Sequence, residues 1–165
     1  MTYNAAERTD LVWYASYGSN MCFERFKAYI LGTCFENTGK RHTGCTDKTL
    51  PAECRPVLIP YQLYFGNESH SWQGGGVAFL DSNRPGVVLG RMYLITTEQF
   101  RQIMEQECTL PFWYNRELLL GSVDGYPVKT FTNSGRRPEN SPSPEYLSVL
   151  RRGMMENVDK LKMPE

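Results

Sequence analysis

Glu107 is the residue of this sequence whose position most strongly suggests chemistry. Across 96–107 the apolar residues are Phe100, Ile103 and Met104, and the next position on that helical face is Glu107. A carboxylate on a buried face must be paired, neutral or functional, because an unpaired buried charge is costly. Burial and the negative end of the helix dipole both favour the protonated carboxyl group, which suits a general base near neutral pH. The alternative is a helix end that turns outward and leaves Glu107 in solvent.

The segment Tyr17-Gly18-Ser19-Asn20 is a second candidate, a turn between a strand and a helix. Glycine permits a tight turn, and the first N–H groups of a helix have no partner inside it. Such N–H groups can bind a carboxylate or another oxyanion with the help of the helix dipole. The same residues also fit a plain connection in which Ser19 or Asn20 caps the helix.

Two further segments could approach a ligand. Residues 72–76, Trp-Gln-Gly-Gly-Gly, could bring backbone close to a ligand, but they lack the lysine of a phosphate-binding P-loop and also fit a bulged hairpin. In residues 140–146, Ser143 and Pro144 are typical of a helix start and would hold Tyr146 in the first turn. Tyr146 would be a pocket residue or an ordinary core residue.

A zinc site at Cys34, His42, Cys45 and Cys54 is a weak alternative. Their spacing matches no common zinc pattern, because no two of these cysteines lie two to four residues apart, so we predict no metal. The chain has five cysteines and no CxxC pair, which predicts reduced thiols in a cytoplasmic protein.

Composition narrows the function classes. Lysine plus arginine and aspartate plus glutamate each number 18, which argues against a general nucleic-acid binder because such proteins need a basic surface. Residues 1–10 lack an apolar signal-peptide region, and no apolar run approaches the roughly 20 residues of a membrane span. The 165 residues suit one domain, 1–165, with its core at about 11–150.

Short strands and a few helices must position these candidates. Thr96 and Gln99 form a capping box ahead of the helix that ends at Glu107, and Gly32 ends an earlier helix carrying Phe23, Phe26 and Ile30. The pattern predicts an α+β fold with a small closed or strongly curved β-barrel and flanking helices. The predicted strands are 11–17, 57–65, 76–80, 87–95, 113–120 and 126–131, with turns at 66–67 and 83–86 and a long polar connection at 33–55.

In their order along the chain, these motifs resemble those of the gamma-glutamylcyclotransferase family. The turn at 17–20, the Trp-x-Gly-Gly segment at 72–75, the Glu-Gln-Glu at 105–107 and the Pro-Ser-Pro-x-Tyr at 142–146 each have a counterpart there. Tyr114 matches a tyrosine of the animal enzymes. Cys108 departs from the small residue that follows the family's catalytic glutamate, and the 33–55 segment is longer than its counterpart.

The resemblance implies a reaction without a metal or an organic cofactor. The α-amine of a gamma-glutamyl group attacks its own γ-carbonyl, which forms 5-oxoproline and releases an amine or amino acid. Glu107 would be the general acid/base, and the N–H groups of Tyr17, Gly18, Ser19 and Asn20 would hold the substrate carboxylate or the oxyanion. Tyr114 and Tyr146 would shape the pocket or donate hydrogen bonds.

Two alternatives to this cyclotransferase stay open. A related enzyme could act on another gamma-glutamyl compound or amide, with the 33–55 segment as a lid that reshapes the pocket. A non-catalytic barrel could bind a small molecule as a sensor. The sequence points to a small-molecule gamma-glutamyl partner, to neither nucleic acid nor membrane, and leaves the oligomeric state undetermined.

Overall fold

The computed structural model describes residues 10–36, 41–107 and 113–162, the last four of these by backbone alone. These ranges contain three helices and five strands, with two short 3-10 turns between them. In order they are β1 (Leu11–Ser16), the 3-10 turn Ser19–Met21, α1 (Phe23–Leu31), β2 (Cys54–Ser69), the 3-10 turn His70–Trp72, β3 (Gly75–Thr96), α2 (Thr97–Glu107), β4 (Arg116–Val123), β5 (Tyr126–Thr132) and α3 (Pro144–Lys162).

The strands form one mixed sheet in the order β2-β3-β1-β5-β4. Strand β1 is antiparallel to β3, with Leu11 opposite Thr96, and parallel to β5, with Trp13 opposite Val128. The α+β class is confirmed. Within the described ranges the sheet has two free ends, β2 and β4, so closure of the predicted barrel is not confirmed.

The central strand β1 is buried on both faces, as its apolar sequence predicts. Trp13 and Ala15 belong to one group of core residues, and Val12 and Tyr14 belong to another on the opposite face. Alternate side chains of a strand point to opposite sides of a sheet, so β1 lies between two apolar layers. The chain leaves β1 directly into the 17–20 segment, which places that segment at the edge of the core.

The prediction of separate strands at 76–80 and 87–95 is wrong, because both belong to the single 22-residue strand β3. The turn expected at 83–86 does not form, since β3 pairs with β2 along both halves and Pro85 lies opposite Tyr61 between two register shifts. These irregularities absorb the proline without ending the strand. The turn expected at 66–67 does not form either, because β2 continues to Ser69. The chain reverses between β2 and β3 at residues 70–74, where Gln73 and Gly74 have positive φ angles of 54° and 75°.

Local signals at the helix ends were partly correct. The capping box of α2 is confirmed, because the N–H of Gln99 donates to Thr96 Oγ1 at 3.0 Å and the N–H of Thr96 donates to Gln99 Oε1 at 3.1 Å. Ser143 Oγ accepts the N–H of Tyr146 at 3.2 Å at the start of α3. Gly32 ends α1 with φ 77°. Residues 108–112, including Cys108, lie outside the described residues.

The long polar connection lies against α2. The side chain of Gln99 donates to the carbonyls of Asp47 and Thr49 at 2.9 Å, and Gln106 Oε1 accepts the N–H of Gly44 at 3.1 Å. Polar side chains of α2 therefore hold the described part of this connection in place. In the described ranges, no helix is long and apolar enough to cross a membrane, and no disulfide joins the cysteines at 22, 34, 45 and 54.

Candidate active site

One cavity of about 310 Å³ collects residues that follow β1, end α2 and begin α3. It brings together all the residues that the sequence analysis selected, which are Tyr17, Gly18, Ser19, Asn20, Glu107, Tyr114 and Tyr146. Its other lining residues are Tyr14, Arg25, Tyr29, Glu68, Ser69, His70, Ser71, Trp72, Val77, Ala78, Trp113 and Phe131. The described part of the 33–55 segment contributes no lining residue, so the lid hypothesis gains no support from these residues.

The turn after β1 opens into a short 3-10 helix. The first N–H groups to donate inside it are those of Met21, to Gly18 O at 3.1 Å, and Cys22, to Ser19 O at 3.1 Å. The N–H groups of Ser19 and Asn20 precede these bonds at the cavity wall. The N–H of Ser19 donates to the hydroxyl oxygen of Tyr146, so the N–H of Asn20 is the donor of this turn that faces the cavity.

Glycine is required at position 18 because the turn lies close to Tyr146 and Ala78, and not because the backbone is strained. A Cβ atom at this position would lie 3.0 Å from the hydroxyl oxygen of Tyr146 and 3.4 Å from the Cβ of Ala78. The turn and the start of α3 therefore touch with no room for a side chain between them. This contact fixes the distance between two parts of the cavity wall that are remote in sequence.

Asn20 does not cap α1, and that alternative is wrong. The N-cap position is Cys22, without a side-chain hydrogen bond, and the N–H of Phe23 donates instead to Glu156 Oε1 at 3.1 Å. The side-chain amide of Asn20, 4% exposed, turns into the cavity. Glu156 thus accepts the N–H at the start of α1, and the side chain of Asn20 lines the cavity instead of capping the helix.

The amide of Asn20 orients the carboxylate of Glu107. Asn20 Nδ2 lies 3.4 Å from Glu107 Oε1 and 3.2 Å from the hydroxyl oxygen of Tyr14. Its Oδ1 is buried and has no hydrogen-bond partner in the described ranges. Asn20 therefore positions the carboxylate with its nitrogen and offers an unused acceptor with its oxygen.

Glu107 continues the apolar face of α2, as predicted. Phe100 and Ile103 are buried on that face at 4% and 0% exposure, and Met104 is half-buried. Glu107 is itself half-buried and lines the cavity, so the solvated alternative is not the arrangement observed. The helix period delivers this carboxylate to the core side of the molecule.

Neutral phenol groups surround the carboxylate. Burial raises the pKa of Tyr14, Tyr29 and Tyr146 above the ordinary tyrosine value, and the charge of Glu107 raises each further. Tyr29 also shares a hydrogen bond with Glu107. These groups stay protonated at neutral pH, so Glu107 is the group of this cluster that can accept a proton.

The other predicted tyrosines serve mainly as walls. The hydroxyl of Tyr17 donates to Phe131 O at 2.7 Å and that of Tyr114 donates to Ala78 O at 2.8 Å. The hydroxyl of Tyr146 accepts the N–H of Ala78 at 2.9 Å. Because the hydroxyls of Tyr17 and Tyr114 donate to backbone carbonyls, these two side chains suit the pocket-shaping role. The hydroxyl of Tyr146 only accepts in these bonds, so its proton can still be donated to a ligand.

Sequence reasoning missed Arg25, Tyr14 and Tyr29. Arg25 and Tyr29 are four residues apart and so share a face of α1, next to the apolar stripe that ends at Ile30. That spacing was a usable signal for Arg25 and Tyr29. Tyr14 had no such signal, because it lies in an apolar strand where a core position is the natural interpretation.

Trp72, which belongs to the Trp-Gln-Gly-Gly-Gly segment singled out in the sequence, packs edge-on against Tyr146 in the cavity wall, with ring centroids 5.1 Å apart.

The residues of the weak zinc alternative have other contacts. His42 Nε2 lies 3.3 Å from Arg25 Nη1, and Cys45 Sγ lies 3.6 Å from the carbonyl oxygen of Tyr29. The described ranges contain no group of three or more metal-ligating side chains arranged to hold an ion. The prediction that no metal takes part stays a prediction.

Solved structures of known proteins resemble this chain over nearly its whole length. A structure named gamma-glutamyl cyclotransferase superposes with a TM-score of 0.63 at 22% identity, covering 94% of this chain and 88% of that one. This chain has the gamma-glutamyl cyclotransferase fold. An uncharacterised protein from Homo sapiens gives a TM-score of 0.63 at 21% identity, with 94% and 89% covered. YkqA from Bacillus subtilis gives 0.60 at 20% identity, with 93% and 53% covered.

A curated relative of the gamma-glutamyl cyclotransferase-like chain is a much longer protein. It is histone deacetylase 5 of Arabidopsis thaliana, 31% identical over 185 residues of alignment, which take in 88% of this chain and 28% of the relative. The chain thus spans less than a third of that relative, whose name describes the larger protein. No family model matches the chain. The structural likenesses, all below 25% identity, establish the fold and leave the reaction to chemical reasoning.

Proposed function

We propose that this protein is a gamma-glutamyl cyclotransferase-like enzyme, which cyclises a gamma-glutamyl group to 5-oxoproline and releases an amine or amino acid. The observation that carries the proposal is the carboxylate of Glu107 in the cavity, 3.4 Å from Asn20 Nδ2 and among phenols kept neutral. A proton acceptor held at the wall of a binding cavity is what this reaction requires.

Proton transfer is the first task of Glu107. The substrate α-amine is protonated at neutral pH and must lose a proton before its nitrogen can act as a nucleophile. Glu107 accepts that proton, while the free Oδ1 of Asn20 is placed to accept a second N–H of the same amine. The neutral nitrogen then attacks the γ-carbonyl carbon within the same molecule.

Collapse of the tetrahedral intermediate completes the reaction. The new bond joins the α-nitrogen to the γ-carbon, and the bond from the γ-carbon to the leaving nitrogen breaks. Glu107 returns its proton to the leaving nitrogen and takes up the second proton of the attacking nitrogen, which becomes the N–H of the lactam. That second proton then passes to the released amine or to solvent, so the enzyme ends the cycle unchanged. The backbone N–H of Asn20 is the donor of the 17–20 turn placed to hold the oxyanion as it develops, because the N–H of Ser19 already donates to the hydroxyl oxygen of Tyr146.

Orientation supplies much of the rate enhancement in this proposal. The attack is intramolecular, so the cavity must hold the flexible side chain folded with nitrogen and carbonyl carbon in contact, which can lower the barrier by several kcal/mol. Walls made rigid by hydroxyl-to-backbone bonds, such as those of Tyr17 and Tyr114, suit this requirement. No step requires a metal or an organic cofactor.

The test is 5-oxoproline release from a panel of gamma-glutamyl amino acids, gamma-glutamyl amines and glutathione. Glu107→Gln keeps the shape of the side chain and should lower turnover by about 100-fold or more while the protein stays folded. The matched control is Glu105→Gln on the same helix, because Glu105 is exposed and pairs with Arg101. That control should keep wild-type turnover.

The outcomes separate the competing functions. Full activity in Glu107→Gln would remove this residue from the mechanism. Cleavage of the amide without 5-oxoproline would favour the related enzyme on another substrate. Tight binding of a gamma-glutamyl compound without any turnover by the wild type would favour the sensor.

A further inference from the structure

Arg25 is a buried cation that forms no ion pair with the described residues. It lies in α1 with 5% of its surface exposed, and none of the ion pairs in the described part of the chain involves it. Its Nε is buried and has no hydrogen-bond partner there. A buried guanidinium without an anion is unusual, because removing a charge from water is costly unless another charge compensates it.

The neighbours of Arg25 orient it without cancelling its charge. The guanidinium carbon lies 5.3 Å from the ring centroid of Trp72, 5.4 Å from that of Tyr29 and 5.6 Å from that of Phe35. Its Nη1 lies 3.3 Å from His42 Nε2, and this nitrogen must accept, because a guanidinium only donates. The aromatic rings fix the plane of the guanidinium, and no carboxylate of the described residues pairs with it.

Arg25 and Glu107 face the same cavity without forming an ion pair. The hydroxyl of Tyr29 lies between them, 3.4 Å from Arg25 Nη2 and in a hydrogen bond with the carboxylate of Glu107. Among the described lining residues, the remaining ionisable side chains apart from tyrosines are Glu68 and His70, and both residues are exposed. The inner wall thus carries one positive and one negative group, separated by a single phenol.

That separation matches the head group of an α-amino acid, whose ammonium and carboxylate are attached to one carbon. We propose that Arg25 binds the α-carboxylate of the gamma-glutamyl group, while Glu107 receives the proton of the neighbouring α-amine. The inference rests on the proposed function for the identity of the substrate. It assigns the carboxylate to Arg25 and so leaves the backbone N–H of Asn20 to the oxyanion.

A carboxylate carried by the leaving amino acid is the competing ligand for Arg25. The position of the Tyr29 hydroxyl argues against this competing ligand. Because a single phenol separates Arg25 from Glu107, an anion bound by Arg25 and a nitrogen beside Glu107 must be as close together as the carboxylate and amine of one amino acid. The leaving group is attached at the far end of the side chain, beyond the γ-carbonyl. Two matched substrate pairs distinguish these positions.

The first pair is gamma-glutamyl-alanine and its analogue with an α-carboxamide in place of the α-carboxylate. The wild type should prefer the carboxylate by about 100-fold or more in kcat/KM. Arg25→Gln should abolish that preference, and Arg25→Lys, which keeps the charge, should retain part of it. The second pair is gamma-glutamyl-alanine and gamma-glutamyl-alaninamide, whose rate ratio should be the same in Arg25→Gln and wild type.

Several results would overturn the inference. Equal kcat/KM values for the two compounds of the first pair in the wild type would refute it without any variant. It would also be refuted if Arg25→Gln changed the rate ratio of the second pair and left that of the first pair unchanged. The control is Arg91→Lys, since Arg91 is 6% exposed but donates to Met21 O at 2.9 Å and pairs with Glu156 away from the cavity lining. It should change stability and leave both ratios unchanged.

Calorimetric binding separates this inference from the proposed function. If the wild type releases no 5-oxoproline but binds gamma-glutamyl-alanine more tightly than the α-carboxamide, and Arg25→Gln removes the difference, the reaction is refuted and the carboxylate site stands. If the wild type binds neither compound, the inference is refuted as well.

Discussion

The contact between the 17–20 turn and α3 should appear as a thermodynamic coupling between Gly18 and Tyr146. In Gly18→Ala the new Cβ would lie 3.0 Å from the hydroxyl oxygen of Tyr146, which forces a displacement of a few tenths of an ångström. Overpacking of this kind costs about 1–3 kcal/mol. The backbone φ of Gly18 is −118°, so alanine at this position suffers no left-handed strain. Alanine also lowers the conformational entropy of the unfolded chain, which offsets about 0.4–1 kcal/mol of the loss in stability.

The partner change, Tyr146→Phe, removes the hydroxyl from a side chain that is 2% exposed. It leaves the N–H of Ala78, now 2.9 Å from that oxygen, without this acceptor, which costs about 1–3 kcal/mol. In the double variant the new methyl group occupies space that the hydroxyl has left. The double variant should therefore lose about 1 kcal/mol less than the sum of the single losses.

Urea unfolding of the wild type, both single variants and the double variant measures this coupling. Tyr64→Phe is the matched control, because its hydroxyl also accepts a backbone N–H, that of Arg137 at 2.9 Å, but lies away from Gly18. Gly18→Ala combined with Tyr64→Phe should be additive. Additivity within about 0.5 kcal/mol for the Gly18 and Tyr146 pair would refute the contact as the reason for glycine at this position.

Two further predictions concern the connection that lies on α2. Gln106 is 8% exposed, accepts the N–H of Gly44 at 3.1 Å and donates to Tyr29 O at 3.0 Å. Gln106→Leu should therefore lower the free energy of unfolding in urea by about 1–3 kcal/mol for each lost partner. An unchanged midpoint and slope of the unfolding curve would contradict this prediction. Burial raises the pKa of the Cys45 thiol to about 11, so at pH 8 only about one molecule in a thousand carries the reactive thiolate. Iodoacetamide should alkylate the exposed Cys34 first and Cys45 only after unfolding, and equal rates for the two in the native protein, measured by peptide mass mapping, would show the burial to be wrong.

The sequence by itself determined the features that depend on neighbours a few residues away. The helical period places Phe100, Ile103 and Glu107 on one face, and the Thr96–Gln99 box closes within one turn, so both could be predicted without knowledge of the rest of the chain. The cap at Ser143 is local in the same sense. Short-range geometry of the backbone is enough to specify each of them.

Pairing over long distances decided what the sequence did not reveal. The turn signals at 83–86 are present, but β2 pairs with both halves of β3, and these hydrogen bonds outweigh a local preference to turn. Asn20 is a good helix cap by type, yet Glu156, more than 130 residues away, contacts the start of α1 and leaves Asn20 to orient Glu107. Which side chain fills such a position depends on elements that meet only after folding.

Arg25 shows most clearly the difference between what the sequence determines and what the tertiary structure decides. The sequence places it one turn before Tyr29 on an amphipathic helix, where an arginine would ordinarily reach solvent. Tertiary structure covers it with Trp72, Phe35 and His42 and turns it toward the cavity. Helical periodicity can define a residue's face but not what packs against that face, so the charge of the site could be recognised only in the folded protein.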